Sequence, residues 1–421
     1  MNIRKRKFLI AVAIVISLTV GILFVLPPIL YHISQPRALH SSNKELVHYV
    51  EDYESSQNRF ISYESVFKKR WTNTKLEAIP LQGIPNANID IIKADSNKTP
   101  KNLIFLTAGM HGIEGYAGSA MLDVIEKEYL SKINADDTGI IMVHCANPWG
   151  MKNKRRYNEN NVDLNRNFIY DWSHFNKNIN RDYAKWKSFL QPTGALGNLS
   201  LHEGGFYGSL VTGIATKGTD SLRKALLTGQ YTQPKGVYYG GTKDEASTTI
   251  LKQLYNEILS SNYENIVHID LHTGYGPRYQ MSIFSSINET MTEKEAKQAF
   301  HYPLVLTPSS DDYYVTNGDN TEYFYKLQQD QYPAKQLYTT TFEFGTMGTD
   351  TLGSVQSAKH TVDENRLFWY GSSSKWTRDT VHNRYVEMFY PHEEKWRLKA
   401  IHDFKQAFEG VLYYKDIMEK S

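Results

Sequence analysis

The sequence predicts an α/β fold on a mostly parallel or mixed sheet, and three observations carry that expectation. Two continuous apolar runs, Asn102–Thr107 (NLIFLT) and Gly139–His144 (GIIMVH), have the unbroken hydrophobicity of buried parallel strands. Between them Ala117, Ala120, Met121, Val124 and Ile125 fall at the i, i+3, i+4, i+7, i+8 spacing of an amphipathic helix. The alternation returns with Ile250, Leu251, Leu254 and Ile258 on a helix, ahead of a strand at Asn265–Leu271 (NIVHIDL). Further strands are expected at Pro303–Thr307 and Leu337–Phe344, and Leu76–Leu81 pairs with Asn88–Lys93 around the Gly83–Pro85 turn. Ligands on such sheets collect at the carboxyl ends of the strands. The loops after Thr107, His144, Leu271 and Phe342 are therefore expected to converge on one edge.

Composition bounds the remaining possibilities. Of 421 residues 41% are hydrophobic and 22% charged, which excludes a mostly disordered chain. The formal net charge is +2, and Arg4, Lys5, Arg6 and Lys7 alone supply +4, leaving −2 on everything else. A body so close to neutral lacks the concentrated cationic surface that nucleic acid requires. The single cysteine, Cys145, excludes an intrachain disulfide and a cysteine-based zinc finger. After the basic run, Phe8–Leu26 holds 19 residues without a charge. As a helix it reaches about 28 Å, close to the hydrocarbon thickness of a bilayer. That is longer than the apolar region of a cleaved signal peptide, and Pro27 and Pro28 follow with no small-x-small site. The expected organisation is a cytoplasmic basic flank (1–7), a transmembrane signal-anchor (8–30), a juxtamembrane linker with an aromatic-bearing helical lead-in (31–75) and one domain (76–421). The positive-inside tendency puts that domain outside the cytoplasm.

Four motifs carry chemistry. AGMHGIEG follows the Asn102–Thr107 strand, with His111 and Glu114 three apart among glycines that let the backbone aim both at one ion. HIDLHTGYG closes a buried strand. His268 and His272 share a strand face, and His272, nearer the strand end, is the expected ligand, with Asp270 to orient it. With His111 and Glu114 it completes a three-ligand set that leaves a position open for water. RRYNENNVDLNRNF concentrates Arg155, Arg156 and Arg166 with Asn165; an Arg–Asn pair suits a carboxylate, though the KNKRR run could also meet a phosphate. In TTFEFGTMG, Glu343 interrupts an apolar strand, which is costly unless the carboxyl is paired or functional.

In that order HGIEG, DLNRNF, DLHTGYG and TFEFG resemble the zinc carboxypeptidase (metallocarboxypeptidase, funnelin) superfamily. The local sequences are most similar to a poorly characterised bacterial branch of it, with some likeness to aspartoacylase and succinylglutamate desuccinylase-type deacylases. The resemblance covers roughly residues 95–350. It implies a three-layer α/β/α catalytic domain on a central mixed, mainly eight-stranded sheet, with one zinc ion. It also implies that His111, Glu114 and His272 hold zinc, that Glu343 is general base and then acid, and that Asn165 and Arg166 bind the substrate carboxylate. Arg156 would polarise the scissile carbonyl, with Arg155 as the alternative. The interval from Arg156 to Asn165 is shorter than in carboxypeptidases and closer to the deacylases. The superfamily's mobile tyrosine corresponds to one of Tyr313, Tyr314, Tyr323 and Tyr325.

The expected function is a membrane-anchored zinc hydrolase that cleaves an amide bond near a free carboxylate, in a small peptide or an acyl amino acid. An N-acyl amino acid deacylase is the alternative enzyme, and an anchored binding protein on the same fold the alternative of another class. A serine hydrolase is disfavoured because no G-x-S-x-G occurs, despite HEGGF at His202. Gly204–Gly208 and Gly240–Gly241 are expected to shape a loop over the cleft or simple turns. The aromatics Phe368, Trp369, Tyr370, Trp376, Tyr385 and Trp396 are expected in helix packing.

Overall fold

The computed structural model describes residues 3–36, 42–310, 313 and 315–419. Its strands are β1 (Asn73–Pro80), β2 (Asn88–Asp95), β3 (Asn102–Ala108), β4 (Thr138–Val143), β5 (Asn265–Gly274), β6 (Met281–Ser285), β7 (Val305–Leu306) and β8 (Gln336–Gly345). They form one mixed sheet in the order β1-β2-β4-β3-β5-β8-β6-β7. The four central strands β4, β3, β5 and β8 run parallel, and β1, β2 and β6 join by antiparallel pairing. From β3 the chain crosses to β4 on one side and later returns to β5 on the other. The order reverses at β3, which makes a crevice at the strands' carboxyl ends.

The helices in chain order are α1 (Ile3–Val20), α2 (Leu26–Ser34), α3 (Tyr53–Phe67), α4 (Gly115–Glu128), α5 (Pro148–Lys152), α6 (Arg181–Leu190), α7 (Leu199–Lys217) and α8 (Thr219–Leu227). They continue as α9 (Ala246–Ser260), α10 (Glu293–Phe300), α11 (Asn320–Gln331), α12 (Thr351–Tyr370), α13 (Lys375–Phe389) and α14 (Glu394–Tyr414). Period-two alternation divides the strand side chains between two cores. Ile104, Leu106, Ile140, Met142 and Ile269 pack under α3, α4, α10 and α14. Leu103, Phe105, Val143 and Ile266 pack under α9 and α11. The lead-in before Lys75 contributes α3, whose Phe60, Tyr63 and Phe67 are buried in the first core together with Trp71.

A third cluster lies beyond the sheet. It joins Tyr183, Trp186 and Leu190 of α6 to Phe206 and Leu210 of α7, Ala225 of α8 and Val362 of α12. Gly204, Gly205 and Gly208 lie inside α7, not in a loop or turn. Packing of α7 through Phe206, Leu210 and Gly213 overrides their low helix propensity, and at Gly213 a Cβ would stand 2.3 Å from the Trp186 ring. Of the late aromatics Tyr385 and Trp396 are buried, whereas Phe368 and Trp376 are exposed.

The apolar N-terminus is one helical run, Arg4–Ser34, interrupted by a π-helical turn at Gly21–Val25, and is long and apolar enough to cross a membrane. Its most apolar window buries nothing against the body. Only its C-terminal part docks: Asn198 donates its side-chain N–H to the Leu23 carbonyl (2.7 Å), and Tyr31 packs edge-on to Trp376 with ring centroids 4.8 Å apart.

Candidate metal centre

The first side chains of the site come from the turn after β3. Gly109 has φ +65°, and a Cβ there would lie 2.4 Å from Cys145 Sγ, so only glycine lets the chain turn at this point. His111 and Glu114 then flank a 3₁₀ turn ahead of α4. The backbone N–H groups of Gly112 and Ile113 donate to the carbonyls of Arg156 and Arg155 (3.2 and 2.9 Å), fastening the loop after β4 beside the ligand turn. His272 stands near the end of β5, directly opposite Glu343 on β8. The expected convergence of strand ends therefore holds.

The ligand atoms of His111, Glu114 and His272 all lie within 4.8 Å of one another, and all three residues are buried. His111 Nδ1 is 2.9 Å from Glu114 Oε1, His272 Nδ1 is 3.2 Å from Glu114 Oε2, and the two Nδ1 atoms are 3.2 Å apart. The outer nitrogens are held by buried carboxylates: His111 Nε2 by Asp163 Oδ1 (2.9 Å) and His272 Nε2 by Asp270 Oδ2 (2.5 Å). A carboxylate at Nε2 fixes the tautomer with the proton there and leaves a lone pair on Nδ1. Two lone pairs and a carboxylate thus face one point, an arrangement that a cation satisfies. Charge points the same way. Burial opposes ionisation of Glu114, but the adjacent imidazoles hold it well below the usual carboxylate range. Burial likewise opposes Asp163 and Asp270, yet Arg156 holds Asp163 well below that range and His272 brings Asp270 to about 2. Three carboxylates converge, and Arg156 is the one guanidinium in hydrogen-bond contact with any of them among the described residues. The triad fits one metal ion.

Residues 49–403 match the model of a family described as a protein of unknown function (DUF2817). The chain belongs to that family. No curated protein matches the chain. Among solved structures, the family member is similar in fold to bovine thrombin-activatable fibrinolysis inhibitor, determined in complex with tick carboxypeptidase inhibitor. The identity is 14%, over 81% of this chain and 98% of that one, with a TM-score of 0.43. It is also similar to carboxypeptidase A from Helicoverpa armigera (13% identity, 87% and 81% covered, TM-score 0.41). A third is succinylglutamate desuccinylase from Chromobacterium violaceum (13%, 74% and 74% covered, TM-score 0.33).

The remaining expected residues separate clearly. Arg156 lies at the centre, its Nε donating to Asp163 Oδ2 (3.0 Å) and an Nη to Glu114 Oε1 (3.2 Å). Arg155 is committed elsewhere: its Nε donates to Glu364 (2.7 Å) and its guanidinium stacks 3.5 Å over the Phe368 ring. Asn165 donates to Asp319 Oδ2 (2.9 Å) and accepts the Asn320 backbone N–H (3.0 Å). Arg166 is buried, donates one Nη to the Asn165 carbonyl (2.9 Å), and keeps a buried Nε with no partner among the described residues. Glu343 Oε1 accepts the Tyr275 N–H (2.9 Å), and its carboxyl is pushed up to about 8 by burial and by the charge of Glu114. His268 is a core residue stacked on Phe105, bonded to Thr107 and Thr339, and lowered to about 4 by burial.

These groups open on one cavity of about 570 Å³, lined by His111, Glu114, His272, Glu343, Arg156, Asn165 and Arg166. Of the candidate tyrosines Tyr313 lines it, with its hydroxyl on the Ser285 carbonyl (3.1 Å). Tyr323 packs on Phe168 and Tyr255, Tyr325 bonds Glu289 (3.0 Å), and Tyr314 lies outside the described residues. Two lining tyrosines, Tyr238 and Tyr275, escaped sequence reasoning. Tyr275 stands in the DLHTGYG motif itself, whereas nothing in the sequence marks Tyr238, whose ring lies 5.8 Å from the Arg156 guanidinium.

Proposed function

We propose that this chain is a membrane-anchored, zinc-dependent hydrolase that cleaves an amide bond beside a free carboxylate. The observation that carries the proposal is the pair of carboxylate-held imidazoles aiming Nδ1 lone pairs at one point with Glu114, beside Glu343 and two arginines in a single cavity. A nitrogen-rich set of three protein ligands suits zinc. The ion, when bound by His111, Glu114 and His272, would supply Lewis acidity and a lowered water pKa.

Every other part of the reaction falls to side chains. Arg166, with Asn165, binds the substrate carboxylate through its unpartnered buried donor. Arg156 stabilises the negative charge that develops on the amide oxygen as water adds. Glu343, raised in basicity by its surroundings, takes a proton from that water and delivers it to the departing amine. Asp163 and Asp270 hold the imidazoles in the required tautomer. The N-terminal run Arg4–Ser34 crosses the membrane, with Arg4–Lys7 inside and the body outside the cytoplasm. A deacylase is favoured over a peptidase by the apolar side chains Phe206, Leu210, Leu222 and Leu226 that also line the cavity.

Elemental analysis of the purified chain tests the proposal. About one zinc per chain is expected, lost in a His111→Ala, His272→Ala double variant. A folded, metal-replete preparation that retains no zinc would overturn it.

A further inference from the structure

Much of the cavity lining is hydrocarbon, with Arg223 on α8 and Ser354 and Ser357 on α12 beside it. Phe206, Leu210 and Ile214 on α7, Leu222 and Leu226 on α8, and Val355 on α12 line it. These six side chains contain no hydrogen-bonding atom. A peptide laid along them would leave backbone N–H and C=O groups without partners from these six side chains, at a cost in free energy, whereas a methylene chain has none to satisfy. The volume, about 570 Å³, suits a single ligand of lipid-like size.

The position of α7 supplies the second observation. From Gly204 to Thr216 it carries no charged residue. One face lines the cavity, while Leu201 and Val211 on another face are 64% and 67% exposed. The helix packs against α2 and the π-helical turn of the N-terminal run, and Asn198 at its N-cap bonds the Leu23 carbonyl. The same helix, uncharged between Glu203 and Lys217, therefore adjoins the apolar N-terminal segment and walls the site.

We infer that the substrate is an amphiphile, a long-chain N-acyl amino acid, with its acyl chain along α7 and α8 and its carboxylate at Arg166. The inference rests on the hydrolase reading above and specifies its substrate. In the reaction the amide C–N bond breaks, the carbonyl carbon gains the oxygen of water, and a water proton ends on the amine. A fatty acid and a free amino acid leave. Each added methylene that enters the wall is expected to tighten binding about fourfold.

The test uses the full chain in lipid bilayer discs with N-dodecanoylglycine bearing a photoactivatable diazirine at the chain end. After illumination, labelled peptides are mapped by mass spectrometry. Label is expected within residues 206–227, displaced by unlabelled N-dodecanoylglycine but not by equimolar N-acetylglycine. Leu222→Arg and Leu226→Arg, both at half-buried positions, are each expected to cut that label at least tenfold. Label confined to residues 4–34, or displaced equally by N-acetylglycine, overturns the inference. Because labelling needs no turnover, the two readings fail separately. Cavity labelling in a chain that holds no zinc sinks only the hydrolase, and N-acetylglycine hydrolysis without cavity labelling sinks only the acyl site.

Discussion

His144, just past the end of β4, makes the fold acid-labile by an amount that can be worked out. It is fully buried between the sheet and α3, with Nε2 2.7 Å from Ser56 Oγ and no partner for Nδ1 among the described residues. Burial, aided by the charge of Arg59, lowers its pKa from 6.5 to about 3. A histidine depressed in this way leaves stability untouched while both states are neutral. As pH falls through 6.5 the unfolded chain takes up a proton that the folded chain refuses, and the fold loses ground down to about pH 3. At pH 5 the unfolded state has gained about 1.5 pH units of proton binding, or about 2 kcal/mol. His144→Gln keeps a polar atom for Ser56 and cannot titrate. Urea unfolding of wild type and variant in the same detergent at pH 7.5 and 5.0 isolates the residue, because every other titrating group cancels. The variant is expected to lose about 2 kcal/mol less than wild type between the two pH values. Equal losses in both proteins would refute the reasoning.

Other outcomes follow from the site. Glu343→Gln should retain metal while lowering kcat about 10²–10⁴-fold, read in steady-state hydrolysis beside elemental analysis; unchanged turnover would remove Glu343 from the reaction. Asp163→Asn should weaken metal binding about 10–100-fold by freeing the His111 tautomer, measured by competition with a chelating dye. At pH 7 Glu343 is protonated, being raised to about 8 by burial and by the charge of Glu114. A bound cation disfavours that proton, so zinc titration of the stripped chain should release about one more proton from wild type than from Glu343→Gln, read by calorimetry in buffers of different ionisation enthalpy. Equal proton release from the two would show that Glu343 was already ionised.

The parallel core of the sheet was legible because burial on both faces leaves an unmistakable trace: β3 and β4 are buried along their whole length and mostly apolar. The triad was legible for a related reason, since a histidine or glutamate at the end of such a strand stands out. Asp270 could be paired with His272 because both lie on β5. Asp163 could not be paired with His111, because the two meet through a loop 52 residues away and no local period links them. The short strand β6 follows a glycine-rich turn with only five residues of its own, too few for alternation to register. The cavity wall was hidden for a different reason. Helices α6, α7 and α8 pack chiefly on one another and on α12, so their apolar faces say that they are buried and not what they enclose. The glycines of α7 compounded this, since their intrinsic preference is for turns.

The ligands reach the centre from positions 111, 114 and 272, and the glutamate opposite them from position 343. Strand β3, which leads into the turn of His111 and Glu114, and β5, which bears His272, are neighbours in the sheet but some 160 residues apart in the chain. Contacts of such sequence separation require the loop-closure entropy to be met before they contribute. Neither half of the polypeptide, taken alone, can bring all three ligand atoms together. Coordination of one ion by all three side chains would therefore wait for the β3–β5 seam to close. A chain exported unfolded would have to collect its ion on the far side of the membrane, so the zinc available there, rather than in the compartment of synthesis, would set how much of it is active.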